Sequence, residues 1–355
     1  MVDTPQRTST WVIYKRWLHL ILLVMIAAWW ALWDFQCCSG LASTLSLRLH
    51  IDPALLQQLL FFGLPIGIVG VLQLASYSLD KTFIGRKWTV NDLLRLAIWR
   101  TVSPTIALLL VATGFDAMYR RRWAGILWLI LSAIVAMVGT LRFRLAEGIK
   151  LQRVKSGELY KRAFVIAKDM GTPLKRVYVV PAGRGHLTNA YGLSESIAVT
   201  DNYGKFLNRA ELDFVIGHEL GHVKGKHGRK TMLMMTILFA VLALTCFFLP
   251  SSLIPFRPVL DIFMMLVPIL AFYFFSRRFE YAADEAGVEF THDPKTAIRA
   301  LASLYRFTQA PTHCDRITEL FMTHPAFVRR AVAIGEIGHM PAEKQAELLA
   351  EFMGG

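Results

Sequence analysis

The stretch Asn208–His227 reads NRAELDFVIGHELGHVKGKH and carries His218, Glu219 and His222 in the pattern H-E-x-x-H. On a helix, residues four apart lie one above the other on the same face, so both imidazoles can reach one metal ion. Glu219 projects beside them, where a carboxylate can take a proton from metal-bound water. The flanks predict the helix itself. Asn208 fits the N-cap, and Glu211, three residues on, fits its capping-box partner. Leu212, Val215, Ile216 and Val223 supply an apolar stripe at helical spacing. A chance match to so short a pattern is expected on the order of one time in a hundred in such a chain. The bland alternative is an exposed amphipathic helix with two satisfied histidines.

A chain of 355 residues has room for two soluble domains. Its 54% hydrophobic and 18% charged residues, with a positive mean hydropathy, predict a membrane protein instead. The formal charge of +13 admits nucleic acid or a membrane as partner. Lys and Arg here sit at the ends of apolar runs, where they meet anionic headgroups, which favours a lipid bilayer over nucleic acid. Cys37 and Cys38 are neighbours, Cys246 lies in an apolar run and Cys314 stands alone. No C-x-x-C occurs, which argues against a thiolate zinc site or a redox motif and leaves idle or buried thiols.

Six apolar runs follow along the chain. The N-terminal membrane region, residues 1–141, holds four of them, at about 17–35, 59–79, 102–118 and 123–141. The first has no small-residue cleavage site after it and reads as an anchor, not a removed signal peptide. Residues 142–230 form a first soluble block, with a helix expected over 145–169 and strands at Arg176–Val180, Ser196–Thr200 and around Asn189–Tyr191. A membrane hairpin, runs 231–249 and 259–275, turns at Pro250, Pro255 and Pro258. Residues 276–355 return to a soluble helical pattern. Lys81, Arg86, Lys87, Arg95 and Arg100, then Arg142, Arg144 and Lys150, and the Lys224–Lys230 cluster all favour the side of the H-E-x-x-H helix being cytoplasmic. Arg120–Arg122 dissents. It falls outside if runs three and four cross, and inside if they form a re-entrant or interfacial hairpin.

A two-histidine site needs a third protein ligand and an open position for water. The best candidate is Glu280 in RRFEYAAD, Arg277–Asp284, just after the hairpin returns the chain to the same face. Asp284 lies four residues on, on the same helical face, where it can hydrogen-bond a ligand histidine and fix its tautomer. Without the H-E-x-x-H stretch both would read as ordinary solvent-facing carboxylates.

H-E-L-G-H followed, after a membrane hairpin, by E-Y-x-A-D resembles the HtpX and CAAX-prenyl-endopeptidase family of integral-membrane zinc metalloproteases. Asn189-Ala190 ahead of Ala198-Val199-Thr200, the Glu211 region, and Thr323-His324-Pro325 with Arg330 six residues after His324 fit the same family. The resemblance covers roughly residues 145–335. It implies an α-helical integral membrane protein with an α+β, zincin-like metalloprotease domain of gluzincin type, mostly helical with a small edge-exposed β-sheet. It implies one zinc ion per chain, with His218, His222 and Glu280 as ligands, Glu219 as catalytic base and Asp284 as support. It also implies His324 and Arg330 beside the substrate carbonyl as oxyanion stabilisers, Arg329 being the adjacent alternative. Asn189, Ala190 and Tyr191 become an edge that accepts a substrate polypeptide as an added strand.

HtpX-type members have about two membrane segments before the zinc domain, against four runs here, and CAAX-type members have more, so the subtype stays open. The expected protein is a multi-pass enzyme of the inner or plasma membrane with a cytoplasmic active site. It would cut membrane or membrane-associated proteins in HtpX-like quality control, or process a specific substrate as CAAX-type enzymes do. A catalytically silent membrane scaffold is the non-enzyme alternative, disfavoured by an intact Glu219. An intramembrane protease is disfavoured by Asn208, Arg209, Glu211, Asp213, Lys224 and Lys226 around the motif. Oligomeric state has no signal in the sequence.

Overall fold

The computed structural model describes residues 103–146, 151–181, 190–308 and 312–353, with isolated positions between 14 and 99. Apart from those isolated positions, the runs read at 17–35 and 59–79 fall outside the described residues. The chain divides into two compact units: Met1–Arg16, Gly148–Met234 and Leu270–Gly355 form one, Trp17–Glu147 and Met235–Ile269 the other.

The first unit is built on a four-stranded sheet of order β1-β2-β4-β3, comprising β1 Gln152–Val154, β2 Arg176–Val180, β3 Ala190–Leu193 and β4 Ser196–Thr200. β2 and β4 run parallel with Val177 opposite Ile197, while β1 and β3 lie antiparallel to their neighbours. β1 corrects the expectation of a helix over 145–169. Val154 pairs with Val177, and Gly157 takes φ 101°, a conformation that L side chains resist, so the helix starts only at Glu158. Val177 and Ile197, opposite one another in that register, are buried in one apolar cluster, and Val180 and Val199 are buried as well.

Before the sheet come α1 (Ser103–Tyr119) and α2 (Ala124–Ala146); α3 (Glu158–Asp169) follows β1, and a short α4 (Tyr203–Phe206) follows β4. The H-E-x-x-H helix is α5, Arg209–Lys224. Its capping box forms as the sequence predicts, with Asn208 Oδ1 accepting from the Glu211 amide and Glu211 Oε2 accepting from the Asn208 amide, each at 2.9 Å. α5 is buried on more than one stripe. Phe214 and Val215 enter one apolar cluster, while Ile216, Leu220 and Val223 enter another with Ala163, Ile166 and Val177. Asp213 joins α5 to α3 by accepting two bonds from Arg162, 2.7 and 2.6 Å long.

After α5 come α6 (His227–Phe247), a 3₁₀ turn at Ser251–Phe256, and α7 (Arg257–Thr291), then α8 (Pro294–Thr308), α9 (Arg316–Leu320), α10 (Phe327–Ile337) and α11 (Ala342–Met353). α7 is one continuous helix of 35 residues that joins the apolar run to Glu280 and Asp284. At 1.5 Å per residue it is about 52 Å long.

In the second unit α1 and α2 form a hairpin. Ser132 donates to the Ala107 carbonyl at 2.8 Å across it. Ala112, Phe115 and Met118 of α1 pack with Ala243, Cys246 and Met264. Asp116 accepts from Arg120 at 2.9 Å and from Arg257 at 2.7 Å, which puts the α1–α2 turn beside the α6–α7 turn. His227–Phe247 and Ile262–Thr291 are long and apolar enough to cross a membrane, and only 11% and 12% of their apolar windows are buried. Apolar helices left uncovered in this way are not the core helices of a soluble protein, which are mostly buried.

Candidate metal centre

Small residues set how closely α5 and α7 meet. A Cβ on Gly221 would lie 2.9 Å from Ala286 Cβ and 3.1 Å from Ala283 Cα, and one on Gly217 would lie 3.3 Å from Gly287 Cα. This close approach lets the carboxylate of Glu280 on α7 reach both histidines of α5. Glu280 Oε1 stands 3.5 Å from His222 Nε2, and Glu280 Oε2 stands 3.8 Å from His218 Nε2. One ligand atom from each of His218, His222 and Glu280 lies within 4.8 Å of the others.

The tautomer of His218 follows from its partner. The Asp284 carboxylate can only accept, so His218 Nδ1 donates to Asp284 Oδ1 at 2.9 Å and Nε2 keeps its lone pair toward Glu280. Asp284 is fully buried and accepts twice more from Arg330, from Nε at 2.8 Å and from Nη2 at 2.6 Å. The two carboxylates beside it raise the Arg330 guanidinium well above its ordinary value, although burial opposes the rise. Burial pushes the Glu219 carboxyl above its usual range; Glu280 adds to the rise, while His218, His222 and a bond from the Gly192 amide oppose it.

These residues suit a dication. Glu219, Glu280 and Asp284 are buried against one buried guanidinium, Arg330, so with ionised carboxylates and neutral imidazoles the cluster has two negative charges in excess. Glu280 Oε2 is buried with no hydrogen-bond partner among the described residues. Ligand atoms about 2.0–2.1 Å from one tetrahedral zinc stand about 3.4 Å apart, close to the 3.5 and 3.8 Å seen here.

The later candidates also gather here. His324 Nε2 lies 3.5 Å from Glu280 Oε1, with its side chain 53% exposed, at the open side of the cluster. Its loop is held from α7: Arg277 Nη1 donates to the carbonyls of Glu319, Leu320 and Met322 at 2.9, 2.9 and 3.1 Å. Between the two adjacent arginines, Arg330 turns inward, while Arg329 pairs with Glu319. Arg330 spends two nitrogens on Asp284, and only Nη1 faces the centre, 3.3 Å from Glu280 Oε2. Ala190 and Tyr191 lie on β3, the last strand of the sheet order; Asn189 lies outside the described residues.

Two contributors carried no sequence expectation. Gly192 presses β3 onto α5, since a Cβ there would meet the Glu219 carbonyl oxygen at 2.6 Å and His222 Cβ at 2.8 Å. His227, the first residue of α6, is buried and places Nδ1 2.9 Å from His222 Nδ1. The only signal for it in the sequence is a histidine five residues beyond the second ligand, with a glycine between.

The chain is similar to known proteins. The chain is 24% identical over 269 residues to "Protease HtpX homolog" of Lactobacillus helveticus, covering 62% of this chain and 89% of that protein. It is 27% identical over 299 residues to "CAAX prenyl protease 1 homolog" of Dictyostelium discoideum, covering 70% of this chain and 67% of that one. The crystal structure of S. mikatae Ste24p shares the fold, with a TM-score of 0.56 and 21% identity over 85% of this chain and 81% of its own. The sequence model of peptidase family M48 matches residues 154–337, more than half of the chain. With H-E-x-x-H and Glu280 inside that match, the chain belongs to peptidase family M48 and is a metalloprotease.

Proposed function

We propose that this chain is a membrane-anchored zinc endopeptidase that cuts polypeptides at the membrane surface on its cytoplasmic side. The observation that carries the reading is the convergence of His218, His222 and Glu280 on one point beside Glu219, with two negative charges left for a cation. His218, His222 and Glu280 would hold the ion. When bound, zinc supplies Lewis acidity that lowers the pKa of water to about 7.

The chain's own groups do the rest. Glu219 takes the proton from the attacking water and delivers it to the leaving amine nitrogen. Burial, which pushes its carboxyl above the usual range, makes it a stronger base toward the attacking water. Asp284 holds the His218 ring in register, and Arg330 holds Asp284. His324, half-exposed at the rim, is the group best placed to donate to the carbonyl oxygen as it becomes an oxyanion. Arg330 contributes through Nη1 alone and otherwise fixes the carboxylates. β3 offers an extended peptide a strand to lie along, directly over Glu219 through Gly192.

Two long apolar helices with little burial support membrane anchoring, and the charge of the short loops supports a cytoplasmic site. The bond between Asp116 and Arg257 sets both turns on one side, which favours runs three and four crossing the bilayer over a re-entrant hairpin. Among substrates we favour membrane proteins in quality control over one dedicated substrate, since several similar proteins, from Lactobacillus and Ralstonia, carry the HtpX name. Glu219→Ala tests the chemistry. The variant should bind one zinc per chain and lose cleavage of a fluorogenic casein by at least a thousandfold; unchanged cleavage sinks the mechanism.

A further inference from the structure

His227 stands at a break in the chain that nothing in the reaction outlined above requires. α5 ends at Lys224 with Gly225 as its C-cap, Lys226 takes φ 52°, and α6 begins at His227. That left-handed step costs a non-glycine residue of order 1 kcal/mol or more, and it turns the His227 side chain back toward the end of α5. The ring arrives in a prepared place. A Cβ on Gly225 would collide with it, so glycine leaves the room that the ring occupies. Its other face stacks on Phe279, centroids 4.4 Å apart and planes at 11°, and Phe279 is the neighbour of Glu280. Its edge meets His222, with centroids 5.0 Å apart at 85°, and its Nδ1 lies 2.9 Å from His222 Nδ1.

Two ring nitrogens at that distance need one proton between them. A neutral His222 that offers the Nε2 lone pair to a metal carries its proton on Nδ1 and is the donor. His227 is then the acceptor, with its own proton on Nε2. His218 has a carboxylate, Asp284, in the equivalent place; His222 has an imidazole. We propose that His227 is a positioning residue whose Nδ1 accepts from His222 Nδ1, fixing the tautomer and the ring plane that present His222 Nε2 to the metal centre. The proposal rests on the metal reading of His218, His222 and Glu280. It also makes the first residue of the apolar helix α6 a hydrogen-bond partner of a metal ligand, bridging α5 and α7 through one ring.

Two substitutions separate the hydrogen bond from the packing. His227→Phe keeps a flat ring on Phe279 and removes the acceptor. His227→Asn removes the ring and leaves a carbonyl oxygen near the position of Nδ1. Zinc affinity of the purified full chain in detergent is measured by competition with a chromophoric chelator, and melting of the metal-free protein reports folding. The expected result is a 10- to 100-fold weaker zinc site in the Phe variant with little change in metal-free melting, and an Asn variant within about threefold of wild type. Wild-type zinc affinity in the Phe variant, or an Asn variant as weak as His227→Ala, overturns the proposal. If the Phe variant does not fold, the Asn and Ala variants decide by the same criterion. Wild-type protein that binds no zinc removes the metal reading itself, and the proposal falls with it.

Discussion

Arg330→Leu is the sharpest test of how the buried charges are held. Arg330 gives Asp284 two bonds, of 2.8 and 2.6 Å, and Asp284 has no exposed surface from which to recruit water in its place. Removing one partner of such a pair costs about 3–5 kcal/mol, because the other charge stays buried with one donor, His218 Nδ1, still facing it. In a domain of this size each kcal/mol moves the melting temperature by about 2–4 °C, so a fall of about 6–20 °C is expected. The same substitution takes the cluster from two uncompensated negative charges to three. Zinc should therefore stabilise the variant more than it stabilises wild type, and chelation should lower the variant's melting temperature by the larger amount. Adding Asp284→Asn removes the orphaned charge while keeping an acceptor for His218, and should recover most of the loss. Differential scanning fluorimetry in detergent, with and without chelator, reads all three quantities. A single variant melting within 2 °C of wild type would refute the charge argument, as would a double variant no better than the single.

Gly192→Ala places a Cβ 2.6 Å from the Glu219 carbonyl oxygen and 2.8 Å from His222 Cβ, so β3 must lift from α5. Cleavage should fall roughly 10²-fold with zinc still bound, since displacing a positioned group by about 1 Å costs that much; unaltered kcat/KM would take β3 out of the site. Glu280→Ala should emerge from purification with its zinc content reduced from one per chain to almost none, measured by metal analysis, and full retention would remove Glu280 from the ligand set.

The parts of this protein that the sequence discloses are those written in local spacing. H-E-x-x-H and the Asn208–Glu211 capping box each lie within one or two helical turns, and both geometries follow from helix periodicity alone. Glu280 and Asp284 are legible because the hairpin constrains where the chain returns and four-residue spacing constrains the face. What stays hidden depends on elements brought from far away. The inward turn of Arg330 over Arg329 is set by the register of α10, which local pattern leaves ambiguous. Its two bonds to Asp284 depend on a partner 46 residues distant. β1 is not legible as a strand because Gln152–Val154 is too short to show alternation, and its strand state comes from pairing with β2. The place of His227 is not legible in the sequence because a ring that folds back past a left-handed residue obeys neither helical nor strand spacing.

The order in which the cluster's members occur along the chain also times the enzyme's own birth. Glu280 is made 58 residues after His222, and Arg330 a further 50 after that, with the apolar hairpin emerging between the two histidines and their third ligand. At about 5–20 residues per second, the ribosome delivers the complete ligand set some 3–12 s after the H-E-x-x-H helix, and the counter-charge for Asp284 later still. A nascent chain therefore carries Glu219 before the residues that gather around it exist. The cluster can close only once the apolar hairpin and α7 have both been made.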